Sequence, residues 1–240
     1  GRTIEDKNGN LWIGTEGGGL NYYNRRTREF KWYRPQEGRN SISHNNVKAL
    51  YYDADKEIIW IGTHLGGLNK LDIRSGHFTH YRMEGNNPQS LPSDIIRDIT
   101  PYKDLLIIAT QNGVCLFNPA NGQCRQLFKD SKEGKSIKMV ADVVFDSEGT
   151  LWIAATGEGV FSYRFDTRKL TNYRHDAANP NSLSNNNVNN ITQDSKGNLW
   201  FSTSGSGLDL YRPETNDFEN FDKGLSLIHI SEPTRLDVIS

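Results

Sequence analysis

Leu11-Trp12-Ile13-Gly14-Thr15, followed by the turn Glu16-Gly17-Gly18-Gly19, decides the fold of this 240-residue chain because it returns at a fixed interval. The returns are Ile59-Trp60-Ile61-Gly62-Thr63, a worn Leu106-Ile107-Ile108-Ala109-Thr110, Leu151-Trp152-Ile153-Ala154-Ala155 and Leu199-Trp200-Phe201-Ser202-Thr203. Positions 12, 60, 107, 152 and 200 lie 48, 47, 45 and 48 residues apart. A period in this range denotes stacked supersecondary units, none of which can bury its apolar face alone. Positions that agree between copies are then scaffold. Positions that differ are where a ligand could be read.

Each unit reads as four short strands. The first is Val47-Lys48-Ala49-Leu50-Tyr51-Tyr52, with counterparts at Ile96–Ile99, Val140–Phe145 and Val188–Ile191. A turn follows with Asp six residues before Trp in three copies, Asp6, Asp146 and Asp194. Its Asn, Gly and Asp residues tolerate positive φ and cap their own backbone. The Trp strand, a glycine turn, a third strand and a fourth strand with spaced aromatics (Phe30 and Tyr33, Phe78 and Tyr81, Phe218 and Phe221) complete the unit. The connection to the next unit carries Ser-Ile or Ser-Leu: Ser41-Ile42, Ser90-Leu91, Ser136-Ile137 and Ser182-Leu183. The apolar member reads as a plug under the loop, and the serine as a partner for loop backbone groups.

Four antiparallel strands per repeat predict an all-β β-propeller of about five four-stranded blades, at 1–34, 44–82, 94–128, 138–174 and 186–222. Radial packing hides both faces of a blade, which is why Leu11, Trp12 and Ile13 are apolar in succession. Trp12, Trp60, Trp152 and Trp200 therefore read as structural. The first strand of unit one is a stub, so residues 1–224 read as an open arc or fragment of a larger propeller. The stretch Leu225–Ser240 breaks the repeat and resembles a translated sequencing adapter, so it is expected to be a non-native tail.

The net charge of −1, with both signs interspersed, argues against a nucleic-acid-binding surface. No stretch approaches the roughly 18 apolar residues of a membrane-spanning helix. Two cysteines do not make a disulfide framework. Cys124 occupies the place of Phe30 and Phe78, diagonal to Cys115 across a turn, and this pattern favours buried free thiols.

The set Asp-x-x-Gly-x-Leu-Trp-Ile-Gly-Thr, Gly-Gly-Leu, Phe-x-x-Tyr and Asn-Ser-Leu-Ser-x-Asn-x-Val resembles the two-component regulator propeller repeat over residues 3–224. Unit three departs from it, with Ile107 for Trp and no Asp turn at Thr100-Pro101-Tyr102. The resemblance implies a periplasmic, ligand-sensing segment of a hybrid two-component histidine kinase of Bacteroidetes type. It further implies an oligosaccharide ligand, a downstream kinase and adjoining propeller domains in the same chain, and a homodimer at full length.

The Asp turns look like the sialidase Asp-box, but Asp stands three residues before Gly, as in Asp146 to Gly149. Glycoside hydrolysis needs two carboxylates flanking one sugar. Here the carboxylates sit mainly at repeated turn positions, so no catalytic residue is expected. Six scattered histidines give no metal set, and no cofactor is expected. Ligand contacts are expected where copies diverge on the face shared by the second-to-third and fourth-to-first connections: His44, Asn46, His64, Arg97, Gln111, Asn186 and Asn189. Asn, His and Arg suit hydroxyls and carboxylates. A propeller lyase or hydrolase and a protein–protein scaffold are the rival readings.

Overall fold

The structure, a computed structural model, describes residues 2–131, 134 and 137–221. The tail 225–240 and the Lys135-Ser136 pair lie outside the described residues. Twenty strands form five separate four-stranded antiparallel sheets, each in simple sequential order. Blade one holds β1 (Thr3–Glu5), β2 (Leu11–Thr15), β3 (Gly19–Asn24) and β4 (Glu29–Tyr33). Blade two holds β5 (Val47–Asp53), β6 (Ile58–Thr63), β7 (Leu68–Asp72) and β8 (Phe78–Tyr81). Blade three holds β9 (Ile96–Tyr102), β10 (Leu105–Thr110), β11 (Gly113–Phe117) and β12 (Cys124–Gln126). Blade four holds β13 (Val140–Phe145), β14 (Leu151–Ala155), β15 (Gly159–Arg164) and β16 (Lys169–Tyr173). Blade five holds β17 (Val188–Gln193), β18 (Leu199–Thr203), β19 (Gly207–Arg212) and β20 (Asp217–Phe221). Innermost strands β1, β5, β9, β13 and β17 pack successively against one another.

The conserved chemistry of the repeat acts at two scales. Within a blade, Asp6 Oδ1 accepts the backbone N–H groups of Asn8 (2.9 Å) and Asn10 (3.0 Å), while Oδ2 accepts the Trp12 indole N–H (3.2 Å). Asp146 and Asp194 do the same for Trp152 (2.7 Å) and Trp200 (3.1 Å). Bonds from Asn198 and Trp200 hold the Asp194 carboxyl down at about 2. Between blades, Trp12, Trp60 and Trp152 each face the following sheet. Trp12 packs into a cluster with Ile59 and Leu71, Trp60 with Ile96 and Phe117, and Trp152 with Ile191 and Phe201. These three indoles are buried, whereas Trp200, on a face no described blade covers, is only partly so. The glycine of the motif permits this approach: a Cβ on Gly62 would stand 2.5 Å from Ile96 Cγ2.

The connections pack as the Ser-Leu signature implies. Ile42, Leu91, Ile137 and Leu183 are buried. The hydroxyls of Ser41, Ser90 and Ser182 accept the N–H groups of Gln36, Glu84 and Asp176, each at 2.9 Å. The cysteines depart from the sequence expectation: Cys115 and Cys124 form a disulfide, and no described cysteine is free. Cys124 pairs with Phe117 and Cys115 with Gln126, so the two sulfurs meet on the diagonal of one sheet face. Their Cα atoms are 6.0 Å apart, well inside bonding range. The bond ties the three-residue edge strand β12 to its blade.

Two outcomes test this packing. Trp152→Ala lowers unfolding free energy by about 3–5 kcal/mol, while Trp32→Ala, at 60% exposure, changes it by less than about 0.5 kcal/mol. Replacing both cysteines by alanine costs about 2–3 kcal/mol, as expected for closing a nine-residue separation. Urea unfolding measures both.

Candidate functional site

The face formed by the second-to-third turns and the inter-blade connections is closed by a belt of backbone hydrogen bonds. The turn of one blade donates to the connection leading into the next: Gly19 N–H to Asn45 O (2.7 Å), Gly67 N–H to Asp94 O (2.9 Å) and Gly159 N–H to Asn186 O (3.0 Å). Within a blade, the same connection accepts from its own turn: His64 N–H to Asn46 O (2.9 Å), Gln111 N–H to Ile95 O (3.1 Å) and Ser204 N–H to Asn187 O (2.8 Å). Backbone at Asn46, Gln111 and Asn186 is thus part of the framework, and only side chains at these places are available to a ligand.

The structure divides the seven candidate residues. His44, Asn46 and His64 belong to blade two, and Arg97 projects from β9 of blade three within electrostatic reach of His64. Lys48 and Glu16, which pair with each other, border the same place. Burial pushes the His64 imidazole below its usual range, and Arg97, Lys48 and His44 push it further, against a weak opposing pull from Glu16. His64 Nδ1 and Asn46 Oδ1 are buried without a protein partner among the described residues. This corner gathers cationic and amide groups suited to a hydroxylated or anionic ligand. Asn186 is occupied otherwise: its Oδ1 accepts the His175 N–H at 2.8 Å. Asn189 exchanges hydrogen bonds with Ser204 inside blade five (2.9 and 3.2 Å). Gln111 lies in the blade-three turn, where its carbonyl accepts the Met139 N–H at 2.7 Å.

Asp98 and Asp142 lie on the innermost strands β9 and β13. In the structure they stitch the innermost strands together. Asp98 Oδ2 accepts the Val143 N–H (3.4 Å), and Asp142 Oδ2 accepts the Ile191 N–H (2.8 Å) and the Asn190 amide (2.8 Å). Arg2 reaches both carboxylates, at 3.2 and 2.9 Å. Burial, followed by the Asp142 charge, pushes the Asp98 carboxyl up to about 7 despite the opposing Arg2.

The comparisons with known proteins bear on these features. A family model described as "Two component regulator propeller" matches residues 2–17, 41–64 and 182–205, three of the Trp-strand units. Three stretches of the chain thus match the two-component regulator propeller repeat. Among solved structures, these repeats are similar to the extracellular domain of a protein described as hybrid two component system BT3049 from B. thetaiotaomicron. That match has 25% identity and a TM-score of 0.79, over 92% of this chain and 29% of that one. The extracellular domain described as that of hybrid two component system BT4673, from the same organism, gives 25% identity and a TM-score of 0.71, over 91% and 29%. PorZ, a surface component of the type-IX secretion system of Porphyromonas gingivalis, shares the fold at 16% identity and a TM-score of 0.63, over 91% and 33%. No curated protein matches the chain in sequence. The chain spans less than a third of each two-component relative's length.

Asp98 gives a pH signature. The folded chain holds this proton to higher pH than the unfolded chain, whose aspartates titrate near ~4. Native stability therefore falls as pH rises from about 4 to about 7 and levels off above that. Urea midpoints of wild type, measured relative to Asp98→Asn, decline across this window; parallel profiles for the two proteins would contradict the assignment.

Proposed function

We propose that this chain is the ligand-reading segment of a periplasmic sensor that recognises oligosaccharides and signals to a histidine kinase in the same polypeptide. One observation carries the reading: the regulator propeller repeats share their fold, at 25% identity, with extracellular domains of hybrid two-component systems. Three features support it. The Cys115–Cys124 disulfide suits an oxidising compartment outside the cytoplasm. Side chains at His44, His64 and Arg97 differ from their counterparts in other blades while the backbone around them is held by the shared belt. Rigid blades packed face to face transmit a shift at one edge to a neighbouring domain or a second subunit of a homodimer.

The role proposed is non-enzymatic. Repeated carboxylates Asp6, Asp146 and Asp194 are spent on turn backbone and indole N–H groups. A ligand at about 100 times its dissociation constant adds about 2.7 kcal/mol to stability, which raises the melting temperature of a domain this size by about 5–10 °C. Thermal melting against a panel of neutral and acidic oligosaccharides is expected to show such a rise for at least one sugar, with no new reducing ends released on prolonged incubation. Silence across the panel would favour a protein-binding scaffold, and released reducing ends would favour a hydrolase.

A further inference from the structure

The two open ends of the blades differ. The turns carrying Asp146 and Asp194 face away from the belt, and between blades four and five on that side lies a cleft of about 320 Å³. A substitution pattern explains why it opens here. In each blade the marker residue lies in a cross-strand row with one residue of the third strand and one of the fourth. The row is Trp12, Tyr22, Lys31 in blade one and Trp60, Lys70, Thr79 in blade two. It is Ile107, Leu116, Arg125 in blade three and Trp200, Leu210, Glu219 in blade five. In blade four it is Trp152, Ser162, Thr171. Blade one fills the space beside its tryptophan with the Tyr22 ring, 4.6 Å from the Trp12 ring between centroids. Blade four puts two short hydroxyl side chains there, and the volume stays empty.

The lining is chemically selective. The Tyr211 and Tyr173 rings form aromatic wall, and both hydroxyls donate to Asn216 Oδ1 at 2.8 Å, which fixes their orientation. Ser162 Oγ, Thr171 Oγ1, the Lys169 ammonium and the Glu148 carboxylate border the cleft without a protein partner among the described residues. An ammonium needs acceptors, a carboxylate needs donors, and a hydroxyl takes either. A hydroxyl-rich ring supplies all three at once and lays its C–H face on an aromatic wall. A concave site with a few convergent polar groups at the low end of small-ligand volumes fits such a molecule.

We infer that the cleft between blades four and five binds one or two pyranose rings, held by Ser162, Thr171, Lys169 and Glu148 against Tyr211. The inference rests on the sensor reading and gives that reading a second place of contact, on the face opposite the His64 and Arg97 corner. Saturation-transfer NMR on the full chain, with methyl pyranosides and disaccharides of glucose, mannose, galactose, xylose and glucuronate as probes, tests it. Wild type is expected to transfer saturation to at least one probe. Ser162→Tyr, which copies the packing of blade one, is expected to reduce that transfer at least tenfold, and Lys169→Ala to weaken it. Should Ser162→Tyr lose native melting, Thr171→Lys fills the same row from the outer strand. Transfer that survives a folded Ser162→Tyr or Thr171→Lys overturns the cleft and leaves the sensor reading standing. Absence of transfer to every probe overturns both.

Discussion

Everything in this molecule depends on burying one blade's aromatic marker against the next blade. A four-stranded sheet with apolar residues on both faces has no stable existence alone, because either face left in water would forfeit its burial energy. The interior blades show the solved condition: β6 and β14 are buried along their whole lengths, whereas β2 alternates, because among the described residues blade one has a neighbour on only one side. The Asp turn serves this packing. By accepting the indole N–H, Asp6 and Asp146 satisfy the one polar atom of a ring whose remainder is driven into the interface. The same carboxylate caps the turn that starts the Trp strand, so one side chain sets both strand entry and ring orientation.

Function is then confined to what the packing leaves over. The backbone of the loop face is committed to the belt of hydrogen bonds, so variation there is variation in side chains on a fixed frame. That arrangement suits recognition, because ligand-contacting groups lose little freedom on binding when their backbone is already ordered. Along the axis, Asp98 and Asp142 each reach the innermost strand of the next blade, and Arg2 spans both. The innermost strands are thereby coupled by charge as well as by contact, and the coupling responds to protonation near neutral pH.

Much of this architecture was legible in the sequence for a physical reason: repetition multiplies weak signals. A single Leu-Trp-Ile-Gly-Thr is an ambiguous apolar run, but five at a near-constant spacing fix strand order, and the Ser-Leu plugs fix the connections. Three kinds of feature stayed out of reach. The belt is made by backbone groups of Asn45, Asp94 and Asn186, which carry no side-chain signature. The disulfide needs the exact diagonal of β11 and β12, and pairing by position with Phe30 and Phe78 argued for free thiols instead. Asp98 and Asp142 stand where blade two has Ala49 and blade five has Asn190, so their stitching role recurs in two of these four blades and is not part of the general repeat. The candidate corner was visible in part: His44, Asn46, His64 and Arg97 do come together, while Asn186 and Asn189 are occupied within the framework. The short Ser162–Thr171 row was a signal available in the sequence, and it becomes readable once cross-strand register is known.

Indole hydrogen exchange, followed by NMR on the five tryptophan Nε1–H signals, tests the inter-blade account most directly. The account predicts strong protection for Trp12, Trp60 and Trp152, weaker protection for Trp200, and exchange at nearly the free rate for Trp32. Free-rate exchange at Trp12, Trp60 and Trp152 in the folded protein would mean that the markers are not buried between blades, and the architecture described here would be wrong.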